Sequence, residues 1–306
     1  MPFRLRSAES IADGLRRLAR EELSSITTHL DGAAPPRDDA IHEIRKSVKK
    51  TRAILHVVGA DNGRGLGKSA KRLHAINCRL SALRDADVML ETLYTLRIKD
   101  RGILNGRCFA RVHRRLSSHK KSVMKAARRK GTWQRVGQRV RKIRQDAKQW
   151  KPKHRQFGSL AASIRLAHQR GRTAMARARK SQRAADFHEW RTQIKALWYE
   201  LRLVEGSGPR IRRDVKALHR AEAWLGNEHD VVVLCDELSK DVPQGDSRID
   251  LDRVRLVGDR YQCELRTKAL ASTKRIYARA PREYANSVRG EWKRWHTRQK
   301  RRHSAK

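Results

Sequence analysis

The sequence predicts an all-α protein built from two tandem copies of one helical unit. Only seven prolines interrupt the 306 residues, and Arg, Lys, Leu and Ala are abundant, which favours helices. Apolar residues recur at spacings of three and four along most of the chain. Segments of the first half reappear in the second, which indicates a duplication.

The first half contains five predicted helical segments. They span residues 7–30, 41–58, 68–80, 88–96 and 101–130. The first stops at Asp31-Gly32, before Pro35 and Pro36, and the last is closed by Gly131. We expect the chain to kink at residues 83–87, between the third and fourth segments.

The second half repeats this order. Its predicted helices span residues 160–180, 186–205, 211–225, 230–239 and 249–280. We interpret residues 1–306 as a single domain made of two repeats, 7–130 and 158–280. A basic linker over 131–157, with room for a helix near 136–150, joins them, and a basic tail over 281–306 follows.

Self-comparison supports the duplication. Residues 42–56 align with 188–202, and residues 71–85 align with 216–230. The two alignments have shifts of 146 and 145 residues, and apolar residues match as well as basic ones. Agreement at nearly one shift is improbable by chance, even in a chain this biased, so we infer a tandem repeat.

Each repeat carries a row of basic residues on one helix face, beside an apolar stripe that begins at Ile41 and Ile44 in the first. The first row is His42, Arg45, Lys49, Arg52 and His56, and the second is His188, Arg191, Lys195 and Arg202. The like charges within a row repel one another and destabilise the helix, and a bound polyanion would remove this repulsion. Guanidinium and ammonium groups suit phosphate oxygens. The alternative is an ordinary solvated helix face.

Further basic residues extend this predicted surface. Lys71 and Lys216 lie on the next helix of each repeat, and additional candidates are Lys46, Lys68, Arg72 and Arg213. The formal net charge of +41 is spread along the chain, which indicates a polyanionic partner. DNA, RNA, an acidic membrane surface and inorganic polyphosphate all fit that description.

Metal chemistry is weakly supported. His42 and His188 lack an HExxH pattern and a carboxylate partner at helical spacing. His229-Asp230 resembles the paired ligands of a metal-dependent phosphohydrolase, but His229 aligns with Arg84 in the other repeat. We therefore predict no metal, no cofactor and no catalytic residue.

Two aspartates and three tryptophans have structural interpretations. Asp85 and Asp230 are interpreted as helix caps or as partners that orient an arginine of the row. Trp190, Trp198 and Trp224 are expected in the core or at its rim rather than as base-stacking platforms.

The cysteines and the hydropathy pattern predict a soluble cytoplasmic protein. The four cysteines contain no CxxC pair, so we expect small core residues in a reducing compartment. No segment has the pattern of a signal peptide or a membrane span. Recognition-helix, zinc-finger and RNP patterns are absent and aromatic residues make up 5 %, so reading of nucleic-acid bases is weakly supported.

The paired motifs resemble a known family. HEIRKSVKKTRAIL followed by LSALRDADVML, repeated as HEWRTQIKALWYEL followed by LGNEHDVVVL, is similar to the CHAD family, the conserved histidine α-helical domain. The resemblance covers residues 7 to 280. It implies two helical-bundle halves related by pseudo-twofold symmetry, with basic helices around a central groove or pore that binds inorganic polyphosphate.

The resemblance also implies a role. Family members are associated with polyphosphate granules, and some are fused to a catalytic CYTH domain, whose ExExK signature is absent here. By position, the binding residues of the family fall on His42, Arg45, Lys49, Arg52, His188, Arg191 and Lys195. Trp198 stands where the second unit usually has a basic residue. We therefore expect non-enzymatic polyphosphate binding, with nucleic-acid binding through backbone phosphates as the alternative.

Overall fold

The computed structural model describes residues 3–7, 9–30, 38–59, 66–148, 150, 157–240 and 246–304. Within these ranges the chain forms ten α-helices and one short 3₁₀ helix, without a β-strand, so the all-α prediction is confirmed. The helices are α1 (Ile11–Leu30), α2 (Asp38–Gly59), α3 (Leu66–Lys99), α4 (Gly106–Arg129), α5 (Thr132–Ala147), α6 (Gly158–Ser181), α7 (Ala184–Leu203), α8 (Pro209–Ser239), α9 (Asp246–Tyr277) and α10 (Pro281–Ser304), with the 3₁₀ helix at Glu205–Ser207.

The second five helices repeat several of the packing contacts of the first five. Helix α1 packs on α2 and α5, α2 packs on α3, and α3 packs on α4. In the same order, α6 packs on α7 and α10, α7 packs on α8, and α8 packs on α9. Helix α2 also contacts α7, and α3 contacts α8. This order agrees with a tandem repeat, while the twofold relation and the central groove stay predictions.

Two apolar clusters divide the long helices α3 and α8. The larger cluster contains Leu80 and Leu83 of α3 and Leu225 of α8, together with apolar residues of α1, α2, α5, α6, α7 and α10. The smaller one begins at Ala86 of α3 and Val231 of α8 and is completed by α4 and α9. The polar residues between Leu83 and Ala86 of α3, and between Leu225 and Val231 of α8, therefore lie at the boundary between the two cores.

The predicted breaks in α3 and α8 are wrong, because both helices are continuous. The polar run at 83–87 indicated a kink, but Leu83 and Ala86 are both buried at helical spacing and hold the segment in the helix. In α8, Gly226 stays helical, and a Cβ placed there would lie 2.9 Å from Nη2 of Arg191. Tertiary packing therefore overrides the local turn signal.

Two segments predicted as linker and tail are largely helical. Helix α5 occupies most of 131–157, in agreement with the helix expected near 136–150. Helix α10 occupies 281–304 and packs on α6, with Tyr284 and Trp292 buried. Trp292 stacks on Phe157 with ring centroids 5.5 Å apart. Basic residues on the outer face of α10 therefore cover an apolar stripe.

Other boundaries move by a few residues. Helix α4 begins at Gly106 rather than Arg101, because Oδ1 of Asn105 accepts a hydrogen bond from the backbone N–H of Cys108 at 3.0 Å and caps the helix. Gly131 adopts a left-handed φ of 56° between α4 and α5. The predicted stop at residues 31–36 lies outside the described residues.

The cysteine prediction is only partly right. Cys108 is buried, whereas Cys78 and Cys263 are exposed on the solvent faces of their helices, and none of the four forms a disulfide. Among the described residues, no helix is both long enough and apolar enough to cross a membrane.

Candidate anion-binding site

The two basic rows approach each other where α2 contacts α7. Arg45 interacts electrostatically with Arg191, and Lys49 interacts with Lys195. All four side chains belong to half-buried residues. We call Arg45, Lys49, Arg191 and Lys195 the central cation cluster. Two of its members come from each predicted repeat.

The two arginines of the cluster have different partners. Nη1 of Arg45 donates to Oγ of Ser81 at 2.9 Å, on α3. Nη2 of Arg191 donates to Oε1 of Glu222 at 3.3 Å, on α8, and Nζ of Lys195 lies 2.9 Å from the same oxygen. Glu222 aligns with Asn77 of the first repeat. The carboxylate of Glu222 thus pairs with both Arg191 and Lys195 in the second repeat. The aligned position of the first repeat carries the neutral amide of Asn77.

Lys49 has no carboxylate within 4.0 Å among the described residues, although Glu222 exerts a weaker attraction on it. Burial lowers the pKa of Lys49 to about 7, and repulsion from Lys195 and Arg45 adds to this effect. Burial also lowers the pKa of Lys195. Burial would raise the pKa of Glu222, but Lys195 and Arg191 outweigh it and lower that pKa. The cluster therefore carries a positive charge that it accommodates poorly.

Asp85 and Asp230 lie inside α3 and α8, so the interpretation as helix caps is wrong. Burial raises the pKa of Asp85 against the opposing effect of Arg45. Burial raises the pKa of Asp230 to about 6, although Arg191 opposes the change. Both carboxylates act on the cluster electrostatically, and neither forms an ion pair with a described residue. They partly offset its charge without covering its hydrogen-bond donors.

Each row begins with a histidine beside a basic residue of the next helix. His42 and Arg84 line a cleft of about 410 Å³, and the ring centroids of His188 and His229 are 4.2 Å apart. Partial burial and then Arg84 lower the pKa of His42. Burial and then His188 lower the pKa of His229 to about 4. Arg84 and His229 are thus equivalent neighbours of the site, a role the sequence signalled only through their alignment.

Metal binding finds no support at these histidines. Within the ranges described above, no group of three or more His, Cys, Asp or Glu side chains is placed to hold a metal ion. The side chains of the central cation cluster can donate hydrogen bonds to an anion and neutralise its charge.

The outer ends of the two rows differ. Arg52 is half-buried, and partial burial together with Arg52 and Arg170 lowers the pKa of His56. In the second row the guanidinium of Arg202 lies 4.9 Å from the Trp198 ring centroid, and Trp198 stacks on His219 with centroids 4.9 Å apart. Trp198 is a rim residue, as predicted, and it fixes Arg202 by cation–π contact.

The remaining tryptophans also agree with their prediction. Trp190 is fully buried in the larger cluster, and Trp224 is half-buried against both clusters.

Neither Lys71 and Lys216 nor the four additional candidates form a hydrogen bond or an ion pair with the central cation cluster among the described residues. Lys68, Lys71 and Lys216 are exposed. Lys46 pairs with Glu43 at 3.1 Å, and Arg72 pairs with Asp146. Arg213 lines a separate cavity near the start of α8. Their participation in binding stays a prediction.

Residues 17–239 match the family model of the CHAD domain. The chain belongs to the CHAD family. The crystal structure of a CHAD domain from the plant Ricinus communis matches with a TM-score of 0.56 and 18 % identity, over 95 % of this chain and 94 % of that one. PptA from Streptomyces chartreusis matches with a TM-score of 0.61 and 16 % identity, over 87 % of this chain and 96 % of that one. No curated protein matches the sequence. These structures support the fold of the CHAD protein described here.

Proposed function

We propose that this CHAD protein binds inorganic polyphosphate without transforming it, and that the central cation cluster is the core of the binding surface. One observation carries the proposal. Arg45, Lys49, Arg191 and Lys195 meet in a half-buried position, where Glu222 is the only described carboxylate within ion-pair distance of any of them. A chain of phosphates supplies the negative charge that such a cluster lacks.

Open hydrogen-bond donors add to this support. Nε of Arg191 is buried and has no hydrogen-bond partner among the described residues. A buried donor without a partner is costly, and a phosphate oxygen would satisfy it with a charge-assisted bond. The association of the CHAD family with polyphosphate agrees with this chemistry.

Polyphosphate suits the site better than a nucleic acid does. Bases are usually held on exposed aromatic rings, but Trp190 is buried and the rings of Trp198 and His219 stack on each other. The four side chains of the central cation cluster offer donors for phosphate oxygens and contain no aromatic ring on which a base could stack. We therefore propose a ligand that consists of phosphate alone, and we propose granule association on the family relationship.

The decisive substitution is Arg45→Ala together with Arg191→Ala. Each arginine contributes at least one charge-assisted hydrogen bond worth roughly 1.5–3 kcal/mol, so their joint loss should weaken polyphosphate binding about 100-fold or more. Titration of labelled long-chain polyphosphate, at two salt concentrations, gives the affinity and its salt slope.

A matched control removes the same charge elsewhere. Arg165 on α6 and Arg289 on α10 are exposed and form no side-chain hydrogen bond or ion pair with a described residue. The Arg165→Ala, Arg289→Ala protein should bind within about threefold of the parent, because distant exposed charges are screened. Equal losses in the two double variants would contradict a localised site. Phosphate release from polyphosphate with Mg²⁺ or Mn²⁺ would contradict the non-enzymatic role.

A further inference from the structure

A second basic cavity, of about 220 Å³, lies where the start of α8, the end of α9 and the start of α10 come together. It is lined by Arg210, Arg213, Asp214, Arg275, Ile276, Arg279 and Tyr284. Asp214 and Glu222 are eight residues apart on α8, which is about 12 Å along the helix axis. The cavity is therefore distinct from the central cation cluster.

The floor of the cavity is a buried Asp–Tyr pair. The Tyr284 hydroxyl donates to Oδ2 of Asp214 at 3.0 Å, and both residues are buried. Burial raises the pKa of Asp214, while Tyr284, Arg275 and Arg213 oppose that change and Glu291 reinforces it. Asp214 is thus already engaged by a hydroxyl and cannot serve four guanidinium groups at once.

The four arginines lack strong partners of their own. None of them forms an ion pair within 4.0 Å with any residue in the described ranges. Nη2 of Arg210 is buried and has no hydrogen-bond partner there, while its guanidinium lies 6.0 Å from the Tyr284 ring centroid. Four positive charges face Asp214 in the lining and Glu291 nearby, which leaves a positive excess.

We propose that this cavity is a second anion site that takes a compact phosphate-class anion, orthophosphate or pyrophosphate. Guanidinium forks match phosphate oxygens in geometry as well as charge. The volume is below the roughly 300–1,000 Å³ of pockets that hold drug-sized ligands, so a nucleotide with its base is too large. The N-terminal ends of α8 and α10 add a favourable field for an anion, which the C-terminal end of α9 opposes.

Pyrophosphate is the probe for the test, titrated into the full chain by calorimetry at about 150 mM salt, where surface attraction is screened. We expect saturable binding of one pyrophosphate per chain in the Arg45→Ala, Arg191→Ala protein, in which the central cation cluster cannot contribute. The Arg213→Gln, Arg275→Gln variant should bind at least about tenfold more weakly, because two charge-assisted contacts are lost. Both side chains belong to exposed residues, so the fold should persist.

The matched control is Arg212→Gln with Lys274→Gln, which removes the same charge from neighbouring exposed positions on α8 and α9 that do not line the cavity. It should bind pyrophosphate within about threefold of the parent, as should the Arg45→Ala, Arg191→Ala protein. Absence of saturable binding, equal losses in the cavity and control variants, or loss in the Arg45→Ala, Arg191→Ala protein would overturn the proposal.

The same titration in the presence of saturating long-chain polyphosphate identifies the source of the anion. Undiminished pyrophosphate binding supports a free small anion as the occupant. Competition in both the Arg45→Ala, Arg191→Ala protein and the Arg212→Gln, Lys274→Gln control supports the terminal phosphate of a polyphosphate chain. The site does not depend on the central cation cluster, so failure of one proposal leaves the other standing.

Discussion

Binding of polyphosphate should be accompanied by uptake of a proton at Lys49. In the free protein the pKa of this lysine is lowered to about 7 by burial, then by Lys195 and Arg45. A phosphate oxygen beside Nζ would favour the ammonium form and return the pKa toward its ordinary value of about 10.4. Affinity should therefore fall as pH rises from 7 to 9.

The size of the effect follows from the fraction of Lys49 that is charged. With a pKa of about 7, that fraction is about one half at pH 7, one tenth at pH 8 and one hundredth at pH 9. Because the bound state keeps the charge, the dissociation constant should rise about fivefold from pH 7 to 8 and about tenfold from pH 8 to 9. Lys195, whose pKa is also lowered, adds an effect of the same sign.

In the free protein, the neighbouring histidines and Asp230 change charge little between pH 7 and 9. Burial lowers the pKa values of His42, His188 and His229 below the ordinary value, so these rings are largely neutral throughout the window. The pKa of Asp230 is about 6, so this carboxyl is largely ionised above pH 7.

Calorimetry at pH 8 in two buffers with different ionisation heats measures the proton uptake directly, and about 0.9 proton per site is expected from Lys49. In a Lys49→Arg protein the positive charge persists at every pH of the window. That variant should take up fewer protons and have a shallower pH dependence. An unchanged pH slope in Lys49→Arg, or an affinity of the parent that does not vary from pH 7 to 9, would refute the reasoning.

Three further predictions concern the same charges and the fold. Lys49→Met should raise the unfolding free energy of the ligand-free protein by about 1–3 kcal/mol, since it removes an unpaired buried charge. The same substitution should weaken polyphosphate binding. Chemical denaturation that finds the variant less stable than the parent would contradict the stability prediction. Glu222→Gln should lower the unfolding free energy by about 3 kcal/mol and tighten polyphosphate binding. Asn77→Asp, at the aligned position of the first repeat, should weaken polyphosphate binding. If both variants bind polyphosphate with the affinity of the parent, the role of Glu222 is contradicted. Trp292→Ala should lower the unfolding free energy by about 3 kcal/mol, because the packing against Phe157 is lost. An unchanged midpoint of thermal unfolding would mean that α10 is not part of the stable core.

The positions of the basic rows were predictable because helical periodicity separates faces. Ile41 and Ile44 are fully buried, and Arg45 and Lys49 lie beside them at the contact with α7. The duplication extended this prediction to Arg191 and Lys195. Amphipathic spacing is a local property, so one sequence is enough to detect it.

The counter-ion pattern was not predictable, because it depends on distances between helices. Glu222 looks like any other charged residue in the sequence, and only the packing of α7 on α8 brings it to Arg191 and Lys195. Of the two interpretations of Asp85, a cap or a partner of an arginine, the cap is wrong because caps are recognised from local sequence, whereas the environment of Asp85 comes from two cores meeting on α3.

Helix α10 was detectable in principle. Tyr284, Val288 and Trp292 recur at a spacing of four and are buried. The surrounding Arg and Lys residues dominated the interpretation of this segment as a tail. The basic composition of this segment indicated its solvent-exposed face correctly but gave no sign of the apolar face that packs in the core.

The most direct measurement is a competition in which labelled long-chain polyphosphate is displaced by duplex DNA and by RNA of matched charge, at physiological salt. The CHAD protein should prefer polyphosphate, and the preference should shrink in the Arg45→Ala, Arg191→Ala protein. Equal or stronger binding of either nucleic acid would contradict a phosphate-only ligand at the central cation cluster.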